Sequence, residues 1–322
     1  MKYAIIFWIT LFTLTACQRK VEPLDSPLAK HVFLGMTPTK TPRLLAPELL
    51  ASPAEEYNGT FSLQGNEFYY TTDIPENAFI TFTEMKADSS WTSPSVAAFS
   101  GTYSDYDPLF SPDGSKLYFS SSRPMPDNTN SRIWYVERID GGWGEPQPVP
   151  LTDSGASEYY SSLTHKGDIY FNIWSKGDIF KAERTEEGYT ITALDTIINA
   201  KANVGDPFIS PEEDYLIFRG YGTPNLGRGD LYISFRIDGT WTAAENLGEP
   251  INSAAHEICP YVTPDGKWFI FASSRVAQKV EMQPLQPIAP VREKYRSHDN
   301  GELNIYYMSA DFIREMQEKY MK

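Results

Sequence analysis

The sequence predicts an all-β protein, a five-bladed β-propeller with four antiparallel strands in each blade. Three observations predict it: a repeat with a period near 50 residues, short aromatic and β-branched strands within each repeat, and turn residues between those strands. A repeat of this length is typical of propeller blades and is too long for leucine-rich or tetratricopeptide repeats. Four antiparallel strands make one blade of such a ring. We expect the propeller domain to span residues 43–322.

The repeat is clearest in three segments, which share an inner strand, a turn and a second strand. They are DPLFSPDGSKLYFSSSR at 107–123, DPFISPEEDYLIFR at 206–219 and CPYVTPDGKWFIFASSR at 259–275. Two weaker copies begin near Asn58 and Tyr160. The Ser-Pro-Asp-Gly sequence at 111–114 suits a type I turn between the first two strands. A third strand, an Asp-Gly turn and a fourth strand that starts at an aromatic residue complete the unit.

The last repeat lacks its fourth strand, because a short helical pattern begins at Asp311 after the third strand. The segment 42–50 is similar to the fourth strands of the other repeats. We therefore expect this N-terminal segment to pair into the last blade, which closes the ring and removes exposed strand edges. Strand direction then brings the chain in from the face that carries the tight turns, and a short C-terminal helix follows the last strand.

These repeats resemble the PD40, or WD40-like, repeats of the TolB propeller family over about residues 43–310, and SPDG followed by LYFSSSR carries the resemblance. The resemblance implies the propeller fold. It also implies a binding role, because the familiar members mostly bind other envelope proteins, while some related propellers carry hydrolases. Members of the family usually have six blades, so five repeats depart from its pattern.

The first residues are typical of an export signal. Lys2 precedes an apolar run at 3–14, which is shorter than the ~20 residues of a membrane span. The sequence LTAC at 14–17 resembles the lipobox of bacterial lipoproteins. This resemblance implies that segment 1–16 is removed and that Cys17 is acylated, which anchors the protein to a membrane. A plain signal peptide with an incidental cysteine is the alternative.

Residues 17–42 are rich in proline and weakly periodic, so they predict a linker between the anchor and the propeller. Gln18 follows the cysteine, where an Asp tends to retain enteric lipoproteins at the inner membrane. By that resemblance, we expect the protein in the cell envelope, at the outer membrane.

Composition excludes several classes of protein. The formal net charge is −14 and the acid excess is spread along the chain, which argues against a nucleic-acid partner. The two cysteines are too few for a disulfide scaffold or a Cys-rich zinc site. The four histidines are not paired at helical or strand spacing, so we expect no metal site and no cofactor.

Strand direction sorts the loops onto two faces. The inner strand runs from the face that we call the top to the face that we call the bottom, so the tight turns lie at the bottom. The long irregular loops at 121–131, 219–229 and 275–302 lie on top, and function concentrates on such loops when a rigid scaffold positions them. The last loop contains an insertion at 276–301, which is either a lid or partner contact, or an irregular decoration.

Acidic residues recur where the inner strands begin on the top face. Six residues before the turn Ser or Thr stand Glu56, Asp105, Glu158 and Glu257; four residues before it stand Asp107 and Asp206. We expect the carboxylates to converge at the channel mouth, where like charges raise one another's pKa or attract a cation or a basic partner. The alternative is structural, because an acid before a strand often caps a turn or bonds the neighbouring blade.

Three further kinds of residue join the candidate ligand-binding set. Arg123, Arg219 and Arg275 end second strands and could pair with the acids, either at a ligand site or as contacts between blades. Trp174 stands where other repeats have Ser, and it either stacks on a sugar or a partner side chain or packs in a blade. His256 is the one histidine expected near the mouth.

The sequence therefore predicts a lipid-anchored envelope propeller that binds a protein or a glycan on its top face. No nucleophile elbow, zinc-protease motif or phosphate loop occurs in it, so no catalytic residue is assigned. The alternative is an envelope glycoside hydrolase or lyase, which needs two mouth carboxylates about 5–5.5 Å apart for retention or about 6.5–9.5 Å apart for inversion. A purely structural role is the third hypothesis.

Overall fold

A computed structural model describes residues 32–125, 131–151, 156–199, 203–222, 225–277, 284–285 and 287–321. The predicted signal segment 1–16, the lipidation site Cys17 and the linker as far as residue 31 lie outside the described residues. Within the described ranges, no helix has both the length and the hydropathy that crossing a membrane requires.

The described strands form five antiparallel sheets, one for each predicted blade. In chain order they are β1 (Arg43–Leu44), β2 (Glu55–Phe61), β3 (Glu67–Ile74), β4 (Asn77–Glu84), β5 (Ser95–Val96), β6 (Asp105–Phe110), β7 (Lys116–Ser121), β8 (Arg132–Ile139), β9 (Gly142–Trp143), β10 (Gln147–Pro148), β11 (Glu158–Leu163), β12 (Ile169–Ile173), β13 (Asp178–Thr185), β14 (Gly188–Ala193), β15 (Gly205–Ile209), β16 (Tyr215–Gly220), β17 (Asp230–Ile237), β18 (Thr240–Trp241), β19 (Glu245–Asn246), β20 (Glu257–Val262), β21 (Trp268–Ser273) and β22 (Asn304–Ser309). Blades 1 to 4 are β2–β5, β6–β10, β11–β14 and β15–β19, and blade 5 is β20–β22 with β1.

The five blades form a closed ring. The inner strands β2, β6, β11, β15 and β20 pack against one another in that order, and β20 also packs against β2. The predicted five-bladed propeller is therefore confirmed. In blades 2 and 4 the fourth strand is broken into two short pieces, each of which pairs with the third strand.

Strand β1 closes the ring as predicted, but it is shorter than predicted. Its two residues pair antiparallel with β22, and Leu45 donates its backbone N–H to Ile305 O at 2.9 Å. The strand expected over 42–50 ends there, because Ala46 takes a left-handed φ of 40° and the short helix α1 (Pro47–Leu50) begins. Proline at the first helical position has no N–H to contribute to a strand ladder.

The chain enters the ring from the bottom, as the strand direction predicts. A turn at Val32–Gly35, in which Phe33 and Leu34 have positive φ, lies against the bottom turn of blade 1, where Phe33 N donates to Gly65 O at 2.7 Å. The ring of Phe33 meets that of Phe61 edge-on at 5.2 Å. Gly65 has a φ of 65°, and a Cβ there would lie 2.7 Å from the Phe33 ring, so both the turn and the close approach require glycine.

Each inner strand carries a β-bulge at the same position, where the register with the second strand shifts. One residue in each bulge has a positive φ between 49° and 56°; the five are Asn58, Asp107, Tyr160, Asp206 and Cys259. Asn and Asp tolerate this conformation better than most residues. A bulge re-aims the side chain that it contains, so the five repeats present these five side chains in equivalent positions.

The aromatic residue that opens each fourth strand packs as predicted. Trp143 Nε1 donates to Tyr69 Oη of blade 1 at 2.9 Å, and its ring lies 5.9 Å from Phe110. Trp91, Tyr189 and Trp241 pack against the same kind of apolar cluster in their own sectors. Trp143 therefore joins blades 1 and 2.

Three more helices complete the described chain: α2 (Thr196–Asn199), α3 (Ala289–Tyr295) and α4 (Asp311–Gln317). The C-terminal helix α4 confirms the prediction, and its Phe312 packs edge-on against Phe269 at 5.2 Å. Helix α3 lies inside the insertion 276–301, which was expected to be irregular, and none of its residues is buried. Asn300 ties the end of the insertion to Pro53 O at 3.0 Å.

Candidate functional site

The four acids that begin the inner strands lie in the scaffold rather than together at the channel mouth. Each is at most 2% exposed. Their hydrogen-bond partners are Ser52 for Glu56, Ser100, Ser121 and Arg123 for Asp105, Arg132 for Glu158, and Ser253, Ser273 and Arg275 for Glu257. This corrects the expected convergence, because burial and bonding to the sheet hold the carboxylates away from solvent. The contacts are those of the structural alternative.

Arg123 and Arg275 repeat one arrangement in blades 2 and 5. Each guanidinium pairs with the acid of its own blade and also donates to a backbone carbonyl of the segment that enters the blade, at Phe99 and Ile251 respectively. Arg275 Nη2 lies 3.2 Å from Glu257 Oε1. Both arginines therefore hold the connecting segment to the sheet.

The bulge residues come together across the channel. Asn58 Nδ2 donates to Asp107 Oδ1 at 3.2 Å between blades 1 and 2. Tyr160 Oη donates to Pro260 O at 2.8 Å, which links blade 3 to blade 5. Cys259 is a buried free thiol, and burial raises its pKa well above the usual range. The channel is thus lined by polar groups that bond to one another.

Asp107 is the acid whose pKa the channel changes most clearly. Its carboxyl is 7% exposed and accepts hydrogen bonds from Asn58 and from Ser120 Oγ at 3.2 Å. Burial, together with the neighbouring Asp206 carboxylate, raises the pKa of Asp107 to about 7. Among the recurring acids, Asp107 is thus one whose pKa a neighbouring carboxylate, that of Asp206, helps to raise.

Blade 4 departs from the pattern of blades 2 and 5. Val204 stands in place of the inner-strand acid, and Arg219 pairs with Asp206 instead, with Nε 2.9 Å from Oδ2. Burial opposes the charge of Arg219, but the Asp206 carboxylate raises the pKa of the guanidinium. A Cβ at Gly205 would overlap Nη2 of Arg219, so this glycine makes room for the guanidinium.

An open cleft of ≈ 320 Å³ lies on the top face between blades 3 and 4. Its lining includes Asn172, Trp174, Gly177, Asn203, Arg219 and Tyr221. The Arg219 guanidinium carbon lies 4.5 Å from the centre of the Tyr221 ring. Cavities of a few hundred Å³ with an aromatic wall and a few polar groups are typical of small-ligand sites.

Trp174 lines this cleft and is 69% exposed. Its ring meets Tyr159 edge-on at 6.2 Å, and Tyr159 meets Tyr106 at 6.4 Å. A line of aromatic rings therefore leads from the inner strand of blade 2 to the edge of blade 3. The alternative that Trp174 packs inside a blade is wrong.

His256 lies beside the cleft, near the predicted mouth. Its ring is 5.7 Å from that of Tyr221, and its Nε2 is 3.5 Å from Tyr221 Oη. Burial lowers the pKa of His256 to about 4, so the imidazole is neutral at pH 7. A neutral imidazole here supports Tyr221 rather than supplying a positive charge.

A second cavity, of ≈ 170 Å³, opens at the bottom of the channel. Its walls are mostly apolar and include Phe61, Leu109, Phe208 and Tyr261, with Leu63 at its edge. This cavity adjoins the point where the chain enters the ring. Among the described residues, no group of three or more His, Cys, Asp or Glu side chains is placed to hold a metal ion.

Stability should fall as the pH rises from about 4.5 to about 7. Burial raises the pKa of Glu56 from 4.5 to about 7 and that of Asp107 from 3.8 to about 7, so the folded protein keeps protons that the unfolded chain releases in this window. Glu56→Gln should remove roughly 1–3 kcal/mol of this decline. Urea unfolding between pH 5 and pH 8 measures it, with exposed Glu212→Gln as the control. An equal decline in wild type and Glu56→Gln contradicts the prediction.

Sequence reasoning singled out Trp174 and Arg219 but missed their neighbours. Asn172 reaches the cleft from the second strand of blade 3. Asn203 lies just before the first strand of blade 4, and Tyr221 follows its second strand. Tyr106 and Tyr159 follow the inner-strand acids directly, and this shared position was the available signal. Parts of the predicted top loops, at 126–130, 223–224, 278–283 and 286, lie outside the described residues.

No protein-family model and no curated protein matches the chain. Among solved structures it is similar to TolB from Agrobacterium tumefaciens, with a TM-score of 0.48 and 18% identity over 69% of this chain and 71% of that one. TolB from Acinetobacter baumannii matches with a TM-score of 0.47 and 14% identity, over 70% of this chain and 50% of that one. The catalytic domain of the GH62 α-L-arabinofuranosidase of Coprinopsis cinerea matches with a TM-score of 0.46 and 11% identity, over 85% of this chain and 95% of that one. Similarity this low carries no functional argument.

Proposed function

We propose that the protein is a lipid-anchored propeller of the bacterial cell envelope, at the outer membrane, that binds a protein or glycan partner on its top face. The lipobox resemblance at 14–17 supports acylation of Cys17, and Gln18 supports the outer membrane. The PD40-like repeats support an envelope role. The proposal includes no cofactor, metal or nucleic acid.

The observation that carries the binding proposal is the exposure of Trp174. The tryptophans that recur in the fourth strands pack against core clusters, whereas Trp174 leaves most of its surface to solvent beside an open cleft. Large aromatic side chains at the edge of a cleft are frequent centres of binding energy. The rigid blades hold this ring in place, as a binding surface needs.

Trp174→Ala should reduce binding of the full chain to its envelope partner by at least about tenfold. The melting temperature should stay the same, because the ring is mostly exposed. Detergent-solubilised full-length protein, applied to a glycan array and to envelope extracts, measures the change. Leu63→Ala at the bottom cavity is the matched control. Binding that survives Trp174→Ala but is lost in Leu63→Ala would transfer the function to the bottom face.

Cleavage of a glycan by a hydrolase or lyase reaction is the second candidate function, and the raised pKa of Asp107 favours it. A general acid works best with a pKa near the working pH, and Asp206, paired with Arg219, stands near Asp107 in the channel. The low exposure of Asp107 and its bonds to Asn58 and Ser120 argue for a scaffold role. Release of reducing ends by wild type, abolished by Asp107→Asn with an unchanged melting curve, would favour the enzyme.

A further inference from the structure

We infer that the cleft between blades 3 and 4 is a saccharide subsite, in which one uncharged sugar ring lies on Trp174 and bonds through its hydroxyls to Asn172, Asn203 and Arg219. This inference rests on the proposed binding function of the top face and names the class of ligand. It is carried by the juxtaposition of an exposed ring and three side chains with free hydrogen-bonding capacity.

Trp174 supplies the surface for the apolar side of a sugar. The polarised C–H groups on one side of a pyranose ring match the negative face of an aromatic ring. Tyr159 supports Trp174 edge-on at 6.2 Å, which leaves much of the indole surface uncovered. Exposed aromatic rings of this kind bind flat ligands with little loss of side-chain entropy.

Arg219 supplies a buried donor at the floor of the cleft. Its Nε bonds to Asp206 and its Nη1 lies 3.5 Å from Asn203 O, while Nη2 makes no hydrogen bond to any described residue. The side chain is only 6% exposed and is fixed by Tyr221 and by the space at Gly205. A preorganised donor loses little freedom when it binds a hydroxyl.

Two amides supply the remaining polar contacts. Asn172 Oδ1 accepts from Asp206 N at 3.3 Å, which leaves its Nδ2 without a partner among the described residues. Asn203 lies against Gly177, and its side chain forms no hydrogen bond within the described part of the chain. An amide can both donate and accept, as a sugar hydroxyl can, so the two groups match in chemistry.

The charges around the cleft favour an uncharged ligand. Asp206 neutralises Arg219 at 2.9 Å, and His256 is neutral. The formal net charge of −14 further disfavours an anionic ligand. The cleft is also a small concave site rather than a broad apolar surface, which a protein partner would need. A protein partner is therefore an outcome that the test must distinguish.

The test uses full-length protein in detergent with a panel of neutral oligosaccharides built from glucose, galactose, mannose, xylose or arabinose. At least one should bind, and Trp174→Ala should weaken its affinity at least tenfold. Trp174→Phe should restore most of the binding, because it keeps an aromatic face, and Asn203→Ala should weaken it severalfold. Tyr295→Ala, which removes a 72% exposed ring from helix α3, should leave it unchanged.

A second arm separates the saccharide inference from the binding proposal. Envelope material captured by wild type, but not by Trp174→Ala, is treated with proteinase or with periodate, which cleaves vicinal diols. Loss of capture after periodate alone supports the saccharide. Loss after proteinase alone, with no oligosaccharide bound, overturns the saccharide and leaves top-face binding standing. If neither oligosaccharide binding nor capture of envelope material depends on Trp174, both the saccharide inference and the proposal of binding at Trp174 are overturned.

Discussion

Replacing Arg132 with alanine is expected to lower the free energy of unfolding by about 3–5 kcal/mol. Arg132 of blade 2 lies 2.7 Å from the Glu158 carboxylate of blade 3, and both side chains are nearly inaccessible to solvent. The substitution removes the guanidinium that offsets the charge of this buried carboxylate, and this costs more than the pair itself contributes. Urea unfolding at pH 7, followed by circular dichroism, measures the loss.

Two matched variants make this prediction specific. Arg314→Ala removes an arginine from an exposed pair with Asp311 at 3.4 Å and should change stability by less than about 1 kcal/mol. The double variant Arg132→Met, Glu158→Leu replaces both charges with apolar groups and should recover much of the loss. A decrease below about 1 kcal/mol in Arg132→Ala would show that this pair does not hold blades 2 and 3 together.

Leu45→Ala is expected to destabilise the protein by about 2–5 kcal/mol, the usual range for truncating a buried leucine. Leu45 follows the closing strand directly, is 2% exposed and belongs to the main apolar core. Its backbone bond to Ile305 extends the pairing of β1 with β22 by one residue. The substitution therefore weakens the packing of the segment that closes the last blade.

Thermal and urea unfolding report the effect of Leu45→Ala, and Ile139→Ala is the control. Ile139 is 53% exposed at the end of β8, so its truncation should change stability by less than about 0.5 kcal/mol. Equal effects of the two substitutions would mean that ring closure contributes little to stability.

The repeat allowed the fold to be predicted almost completely, because strand length, turn residues and period all recur in the chain. The closing strand was found by its likeness to other fourth strands, but its end was not. That end is set by Ala46, which takes a left-handed conformation that nothing in its residue type favours. Such a conformation arises from the surrounding packing and is invisible in a local pattern.

The candidate site was predicted less well, because spacing identifies equivalent positions but not the direction of side chains. Glu257 and Asp107 represent two positions that recur in the repeats. A bulge follows the first position in each inner strand, so the side chains of the first position lie in the blade and those of the second face the channel. Trp174 was noticeable because it breaks the repeat. Asn203 was not, since it lies in the connection between blades 3 and 4, outside the segments that define the repeat.

The entry of the chain at the bottom has a mechanical consequence. Strand β1 runs upward beside β22, so a pull on the residues before Val32 acts along the strand and loads its few backbone bonds at the same moment. Peeling, in which bonds break one at a time, needs a sideways pull. If the N-terminal segment is anchored while the opposite face binds a partner, the force acts first on the contact of Phe33 with Gly65. It then acts on β1 in shear, so the closing strand would resist separation from β22.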